Sequence, residues 1–297
     1  MALDQAFDEE QFDQDEDQDG LESDGTEMTF LEHLEELRWH LIRAVASIFV
    51  FAVIAFVFIR DIFDKVILAP ARADFWTYRQ MCKLADYTGY ADLCVKKLDF
   101  KLQALGVSDQ FTMALTSSVI IGLCFAFPYT FWEVWRFIKP GLRSSERRAS
   151  RGAVFYVSML FLLGLFFGYF IVSPLAINFL ANYKLTDQIE NQFDITSYIG
   201  IIVTLSLGCA LMFQMPIIAF VLSKVGILTP GFLREYRKHS WIVILIIAGI
   251  ITPSPDIYSQ ILVALPLALL YEVSILVSGS IERARLREER AMVRGRE

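Results

Sequence analysis

Apolar residues in this chain come in blocks too long for any water-soluble core to hide. LIRAVASIFVFAVIAFVFI fills 41–59, interrupted only by Arg43 near its start. Further blocks run over 111–138, with Pro128 inside, over 152–180, with Gly164, Gly168 and Pro174, and over 195–225, with Gly208, Gln214 and Pro216. Each reaches the roughly 20 residues that an α-helix needs to cross a hydrocarbon core about 30 Å thick. Lipid accommodates such blocks directly. The expected fold is therefore all-α, a polytopic helical membrane protein.

Two shorter blocks, 240–252 and 258–278, flank the punctuation TPSPD at 252–256, and the second contains Pro266 and Glu272. Prolines at a tight connection end one helix and begin the next. So few residues cannot return across a bilayer, so these blocks form a helical hairpin and bring the expected total to six transmembrane helices. About 13 apolar residues cover roughly 20 Å, short of the hydrocarbon core. The bilayer beside this helix should thin.

Charge sets the orientation. The connection 136–151 holds Arg136, Lys139, Arg143, Arg147, Arg148 and Arg151, and 224–239 holds Lys224, Arg234, Arg237 and Lys238. The C-terminal segment adds Arg283, Arg285, Arg287, Arg290, Arg294 and Arg296, whereas 181–194 has only Lys184 and 253–257 has no Lys or Arg. Both termini should therefore be cytoplasmic, with the long segment 60–110 outside. The net charge of −7 misleads, because residues 1–27 carry twelve Asp or Glu and no Lys or Arg. The remainder sets 22 acidic residues against 27 basic ones, a balance of +5.

The acidic head 1–27 has the composition of a disordered segment and lacks the cationic start of a secretory leader. It reads either as a solvated extension or as a docking tail for a basic partner. Residues 28–40 follow, with Thr29 and Glu32 spaced as a capping box and with Phe30, Leu34, Leu37 and Leu41 at helical spacing. They read as an amphipathic helix at the cytoplasmic surface that bends into the first span. The expected layout is the head 1–27, the interfacial helix 28–40, the six-helix domain 41–280 and a basic cytoplasmic tail 281–297.

Cys124 and Cys209 lie in apolar blocks, where a thiol acts as a small hydrophobe. Cys82 and Cys94 share the polar segment, and an outside location would allow a disulfide between them; the sequence leaves open whether they are joined. His33, His40 and His239 sit at polar edges without zinc-ligand spacing, and no glycine loop of Walker type occurs. No metal and no other cofactor is expected, and no nucleic-acid partner.

Polar groups inside spans are costly without partners. Gln214 should face other helices or a wet groove, with plain interhelical hydrogen bonding as the alternative. Glu272 needs a wet cavity or an ion pair with an arginine on the cytoplasmic side. Glu36 and Glu146 lie on the cytoplasmic face, the latter among arginines that would ordinarily neutralise it.

The stretches FLEHLEELRWHL (30–41), VWRFIKPGLRSSERR (134–148), FGYFIVSPLAINFL (167–180) and ITPSPDIYSQILVALPLALLYE (251–272) resemble the TatC family of the twin-arginine translocase, over essentially residues 28 to 282. The resemblance implies a multi-pass protein of the bacterial inner (cytoplasmic) membrane that binds signal peptides bearing paired arginines. It also implies single-span partner subunits of the TatA and TatB type, further copies of the chain within a receptor complex, and export of folded proteins. Carried over residue by residue, Glu36 and Glu146 match the acidic positions that receive the arginine pair, and Arg38 and Phe137 match positions of the same patch. Pro128, Pro140 and Leu142 match positions that shape it, Asp256 matches an acidic residue of the short outer loop, and Pro70 matches a proline of the first outer loop. Gln214 departs from the glutamate many relatives have, and Glu133 from a common neutral amide.

The chemistry of the residues agrees. A guanidinium presents a rigid fork of donors that a carboxylate accepts bidentately, which lysine cannot reproduce. A signal's apolar segment would add affinity along the spans, with Gln214 and Glu272 in the groove where partners assemble. Without a phosphate-binding loop, energy would come from the transmembrane proton-motive force. A solute transporter would need matching halves with broken spans, and an intramembrane protease would need a nucleophile with its base, paired aspartates or HExxH. None of these patterns occurs in the sequence. No enzymatic activity is expected.

Overall fold

The computed structural model describes residues 30–90, 94–95, 98, 100–138, 152–186, 191–252 and 257–294. Among the described residues, five helical stretches are long and apolar enough to cross a membrane: Glu35–Val57, Asp109–Phe137, Val154–Asn182, Ile195–Val225 and Gln260–Arg287. The chain is a polytopic helical membrane protein.

Helix α1 (Phe30–Val57) joins the expected interfacial helix to the first span without a break. No proline or glycine lies between residues 30 and 57 to interrupt it. Its packing inverts that of a soluble helix. Ala44, Ala52 and Ala55 point inward, while Phe49 is 68% and Val57 71% exposed. Small residues let neighbouring backbones approach, and the large apolar side chains are left for lipid.

Short turns at Ile59–Ile62, Phe63–Ile67 and Ala69–Ala71 lead to helix α2 (Trp76–Thr88). Gly89, at φ 78°, closes α2 in the left-handed conformation a glycine adopts freely. A disulfide joins Cys82 of α2 to Cys94. Strand β1 (Lys101–Gln103) then precedes α3 (Asp109–Ile138), which packs along α1. A Cβ on Gly122 of α3 would lie 2.5 Å from the backbone nitrogen of Ala52, so only glycine permits this approach.

The third span is α4 (Ala153–Phe167), a π-turn at Gly168–Val172 and α5 (Ser173–Asn182). Pro174 has no N–H for the carbonyl of Phe170 four residues back. Thr77 of α2 donates its hydroxyl to that carbonyl instead, and Tyr78 donates to the Pro174 carbonyl at 2.7 Å. The proline thus leaves the Phe170 carbonyl open to Thr77, and the two bonds tie the segment between the first two spans to the third. Tyr78 is fully buried, and burial pushes its hydroxyl above the ordinary tyrosine range, so it stays a donor. Asn191 donates to the carbonyls of Ala181 and Tyr183, finishing α5. Strand β2 (Gln192–Asp194) pairs in parallel with β1, and Phe100 stacks on Phe193.

Asp194 caps α6 (Ile195–Met212) by accepting from the backbone N–H groups of Thr196 and Ser197. The fourth span breaks at Phe213 and Gln214, then resumes as α7 (Met215–Val225) with Pro216 in its first turn. Thr229 caps the short α8 (Pro230–Glu235). Helix α9 (Arg237–Ile251) has 15 residues, roughly 22 Å, too short to cross a bilayer unaided. This is the short helix expected from the sequence. Helix α10 (Ile257–Arg294) continues 38 residues with Pro266 inside, so the basic segment extends the last span as helix as far as Arg294. The largest core joins Val172, Leu205, Ala248, Val263, Leu267 and their neighbours, and Ser223 donates to Ser278 where α7 meets α10.

Candidate functional site

Helical spacing builds the site from two facing stripes. Glu36 and His40 stand one turn apart on α1; Tyr129, Glu133 and Phe137 stand one turn apart on α3. The close contact at Gly122 draws the two helices together, and the stripes meet near the Phe30 end of α1. Glu36 lies about 30 Å along the helix from Val57.

His40 and Glu133 form the centre. Nδ1 of His40 lies 2.5 Å from Oε2 of Glu133, and the Tyr129 hydroxyl donates to Oε1 of Glu133 at 2.9 Å. Glu133 is 1% exposed and His40 6%. A buried carboxylate is tolerated only when its oxygens are satisfied, and here both are. His40, expected at a polar edge, is instead buried. The ring turns into the α1–α3 interface, where Glu133 draws it and where Phe137 meets it edge-on at 6.5 Å between centroids. Glu133, unexplained by the sequence, is the partner that makes burial of His40 possible. The signal available was the pairing of a histidine and a glutamate, both near the same ends of adjacent spans.

Glu36 sits at the mouth of this arrangement. Its Oε1 lies 3.9 Å from Nε2 of His40, while its Oε2 is shielded from solvent and has no hydrogen-bond partner among the described residues. A cavity of about 380 Å³ opens here, lined by Glu36, Trp39, His40, Arg43 and Arg136. An unsatisfied carboxylate oxygen costs roughly 1–3 kcal/mol, and a donor arriving through the cavity would recover it. Trp39 is exposed beside it, with the Arg38 guanidinium 5.7 Å from its ring centroid; Arg136 lies 5.0 Å from that of Trp132. Arg38 is exposed and Phe137 half-buried. The structure therefore brings Glu36 and Phe137 to one site, both touching His40. Glu146, Pro140 and Leu142 lie outside the described residues, as does Asp256.

The other expected site residues lie elsewhere. Pro128 is inside α3, one turn and more from Glu133, where it has no N–H to return to the Cys124 carbonyl. Gln214, at the break between α6 and α7, donates from Nε2 to the Val157 carbonyl of α4 at 3.3 Å, leaving its buried Oε1 without a partner among the described residues. Glu272 of α10 pairs with Arg237 of α9. Pro70 is buried in a 3₁₀ turn, and its carbonyl accepts from Tyr78 at 3.2 Å. Thr77, Tyr78 and Asn191 were not singled out from the sequence, since hydroxyl and amide donors in polar segments carry no periodic signal.

Residues 32–266 match the family model described as Sec-independent protein translocase protein (TatC). The chain belongs to the TatC family. It is 36% identical over 265 residues to the Sec-independent protein translocase protein TatC of Blattabacterium sp. subsp. Periplaneta americana, covering 89% of this chain and 99% of the relative. It is 32% identical over 268 residues to TatCd of Bacillus subtilis, covering 90% and 98%. The crystal structure titled twin arginine translocase receptor TatC superposes with a TM-score of 0.63 at 32% identity, covering 84% of this chain and all of that one. The protein is thus a TatC-type component of a protein translocase, as the resemblance implied, and a multi-pass membrane protein.

Proposed function

We propose that this TatC-family chain is the signal-peptide receptor and core scaffold of a twin-arginine translocase in a bacterial inner membrane. In this reading it crosses the bilayer six times, with both termini cytoplasmic and α9 as the short fifth span. Glu36 and Glu146 receive the two guanidinium groups of an incoming leader, and Arg38 and Phe137 complete the patch. Pro128, Pro140 and Leu142 shape it. The leader's apolar segment then lies along the spans toward Gln214, whose carbonyl oxygen, without a partner among the described residues, is an acceptor for a polar group on a single-span partner. Partner assembly there is eased by bilayer thinned around α9. Glu272, paired with Arg237, holds α9 against α10 beside that groove. Asp256 and Pro70 belong to the outer side, and the proton-motive force drives transport of the folded cargo.

One observation supports the capture step above the rest: the Glu36 carboxylate stands at a cavity mouth beside an exposed indole, with a shielded oxygen that has no partner among the described residues. A guanidinium supplies several N–H donors and a flat face, which suits the carboxylate and the ring together. Each exposed carboxylate–arginine pair contributes only about 0–1 kcal/mol, more when shielded, so the apolar segment must supply much of the affinity.

The test replaces Glu36 and Glu146 by Ala, singly and together, and measures photocrosslinking to an arginine-pair signal peptide in membranes. The reading expects each single variant to weaken crosslinking and the double variant to abolish it. Undiminished crosslinking in the double variant contradicts it.

A further inference from the structure

Resting on the capture reading above, we propose that His40 is the positioning residue for the Glu36 carboxylate, and that docking of an arginine pair releases the proton on its Nε2. The two ring nitrogens of His40 face different surroundings. Behind it, Nδ1 is fixed by Glu133 at 2.5 Å, and Glu133 is itself fixed by Tyr129 at 2.9 Å. In front, Nε2 stands 3.9 Å from Glu36 Oε1 at the cavity. Because the ring cannot turn without breaking the rear bond, Nε2 always faces Glu36. A backed imidazole of this kind orients whatever its second nitrogen touches.

The charges around the ring decide what happens to its proton. On α1 it faces Glu36 and Arg43; on α3 it faces Glu133, Tyr129 and Arg136. With both ring nitrogens protonated, His40 balances Glu133, and its Nε2–H points toward Glu36. An incoming guanidinium brings N–H donors to the same Glu36 oxygens and a positive charge beside the imidazolium. The Nε2 proton then leaves to water through the cavity. Nδ1–H remains, donating to an ionised Glu133, and the bare Nε2 becomes an acceptor for the guanidinium. One proton leaves, and the net negative charge presented to the arginine pair grows by one. The occupied site thereby carries one more negative charge than the empty one, at the cost of removing that proton, so binding and proton release are coupled.

Proton release and affinity are linked reciprocally. If binding releases one proton, affinity rises with pH by at most about tenfold per unit. The measurement is titration calorimetry of the purified protein in nanodiscs with an end-capped peptide carrying an arginine pair, in two buffers of different ionisation enthalpy, from pH 6 to 8. The wild-type protein should release up to one proton and bind several-fold more tightly at pH 8 than at pH 6. The doubly substituted protein, His40→Gln with Glu133→Gln, keeps a hydrogen-bonding pair without a titrating ring. It should bind more weakly, release no proton and show a flat profile.

Equal proton release in that variant, or none in the wild type, overturns the inference. A second readout needs no substitution: the ¹⁵N signal of His40 Nε2 in the wild-type protein should change from protonated to bare on adding peptide, and an unchanged signal also overturns it. Glu36→Ala keeps the two failures apart. Undiminished peptide binding in that variant refutes the capture reading itself, whatever the protons do.

Discussion

His40 and Glu133, 93 residues apart in the chain, share a hydrogen bond of 2.5 Å inside the contact between α1 and α3. Neither side chain could be buried alone. A lone buried carboxylate lacks solvation, and a lone buried imidazole leaves a nitrogen unsatisfied. Together they clamp the two helices at the end that carries Glu36, so the pair sets where that carboxylate stands.

Removing one member should therefore cost more than removing both. Glu133→Leu leaves His40 without its buried partner and should destabilise the protein by about 3–5 kcal/mol. Combining it with His40→Leu should recover part of that loss. Thermal unfolding in detergent of the wild type, both single variants and the double variant measures the coupling. Additive losses would mean that the two residues do not act as a pair.

The tie between α2 and the third span makes a second expectation. Thr77→Val removes the hydroxyl donor from the Phe170 carbonyl, which Pro174 cannot serve from its own backbone, a loss of about 1–3 kcal/mol. In a Pro174→Ala background the backbone can supply an N–H, and the same substitution should cost less. Unfolding midpoints of the four proteins test this, and equal costs in both backgrounds would contradict it. Tyr78→Phe should remove a further donor to the same segment. Because burial raises the Tyr78 hydroxyl, its contribution is present below the ordinary tyrosine range near pH 10 and fades as pH rises above it.

A third expectation concerns thiols. With Cys82 and Cys94 joined, only Cys124 and Cys209 remain free, one half-buried and one buried. Protein denatured without reductant should take up two maleimide groups by mass, and protein reduced first should take up four. Uptake of four without reductant would show the pair to be open. Loss of the bond should loosen α2, since a closed loop of this size contributes roughly 2–3 kcal/mol.

The spans were legible because lipid imposes a length and an apolarity that a sequence displays openly. The separation of α9 from α10 was legible for a similar reason, since the prolines of 252–256 lack an N–H, which is local chemistry; the π-turn before Pro174 and the interruption at Phe213 and Gln214 came only from the structure. The contents of the α1–α3 contact were less visible. His40 read as an edge residue and Glu133 as an oddity, because burial of each depends on the other, and such pairings across two spans leave no periodic trace. Glu272 came closer, since a carboxylate that deep demanded a cation, but which one depended on how α9 folds back. Gln214 was visible as a polar group in a span; that its amide would reach Val157 while its oxygen found no partner among the described residues was not.

On the proposed function, Glu36 and Glu146 together hold one pair of adjacent arginines at the cytoplasmic surface. The most direct measurement places cysteines at 36 and 146 in a chain with Cys124 and Cys209 replaced by Ala. It then asks whether one membrane-impermeant bifunctional reagent, no longer than two adjacent arginines with side chains extended, joins them when added from the cytoplasmic side. The account predicts an intramolecular crosslink that an arginine-pair peptide suppresses. Labelling of the two positions from opposite sides, or no crosslink at that length although both react singly, would contradict it.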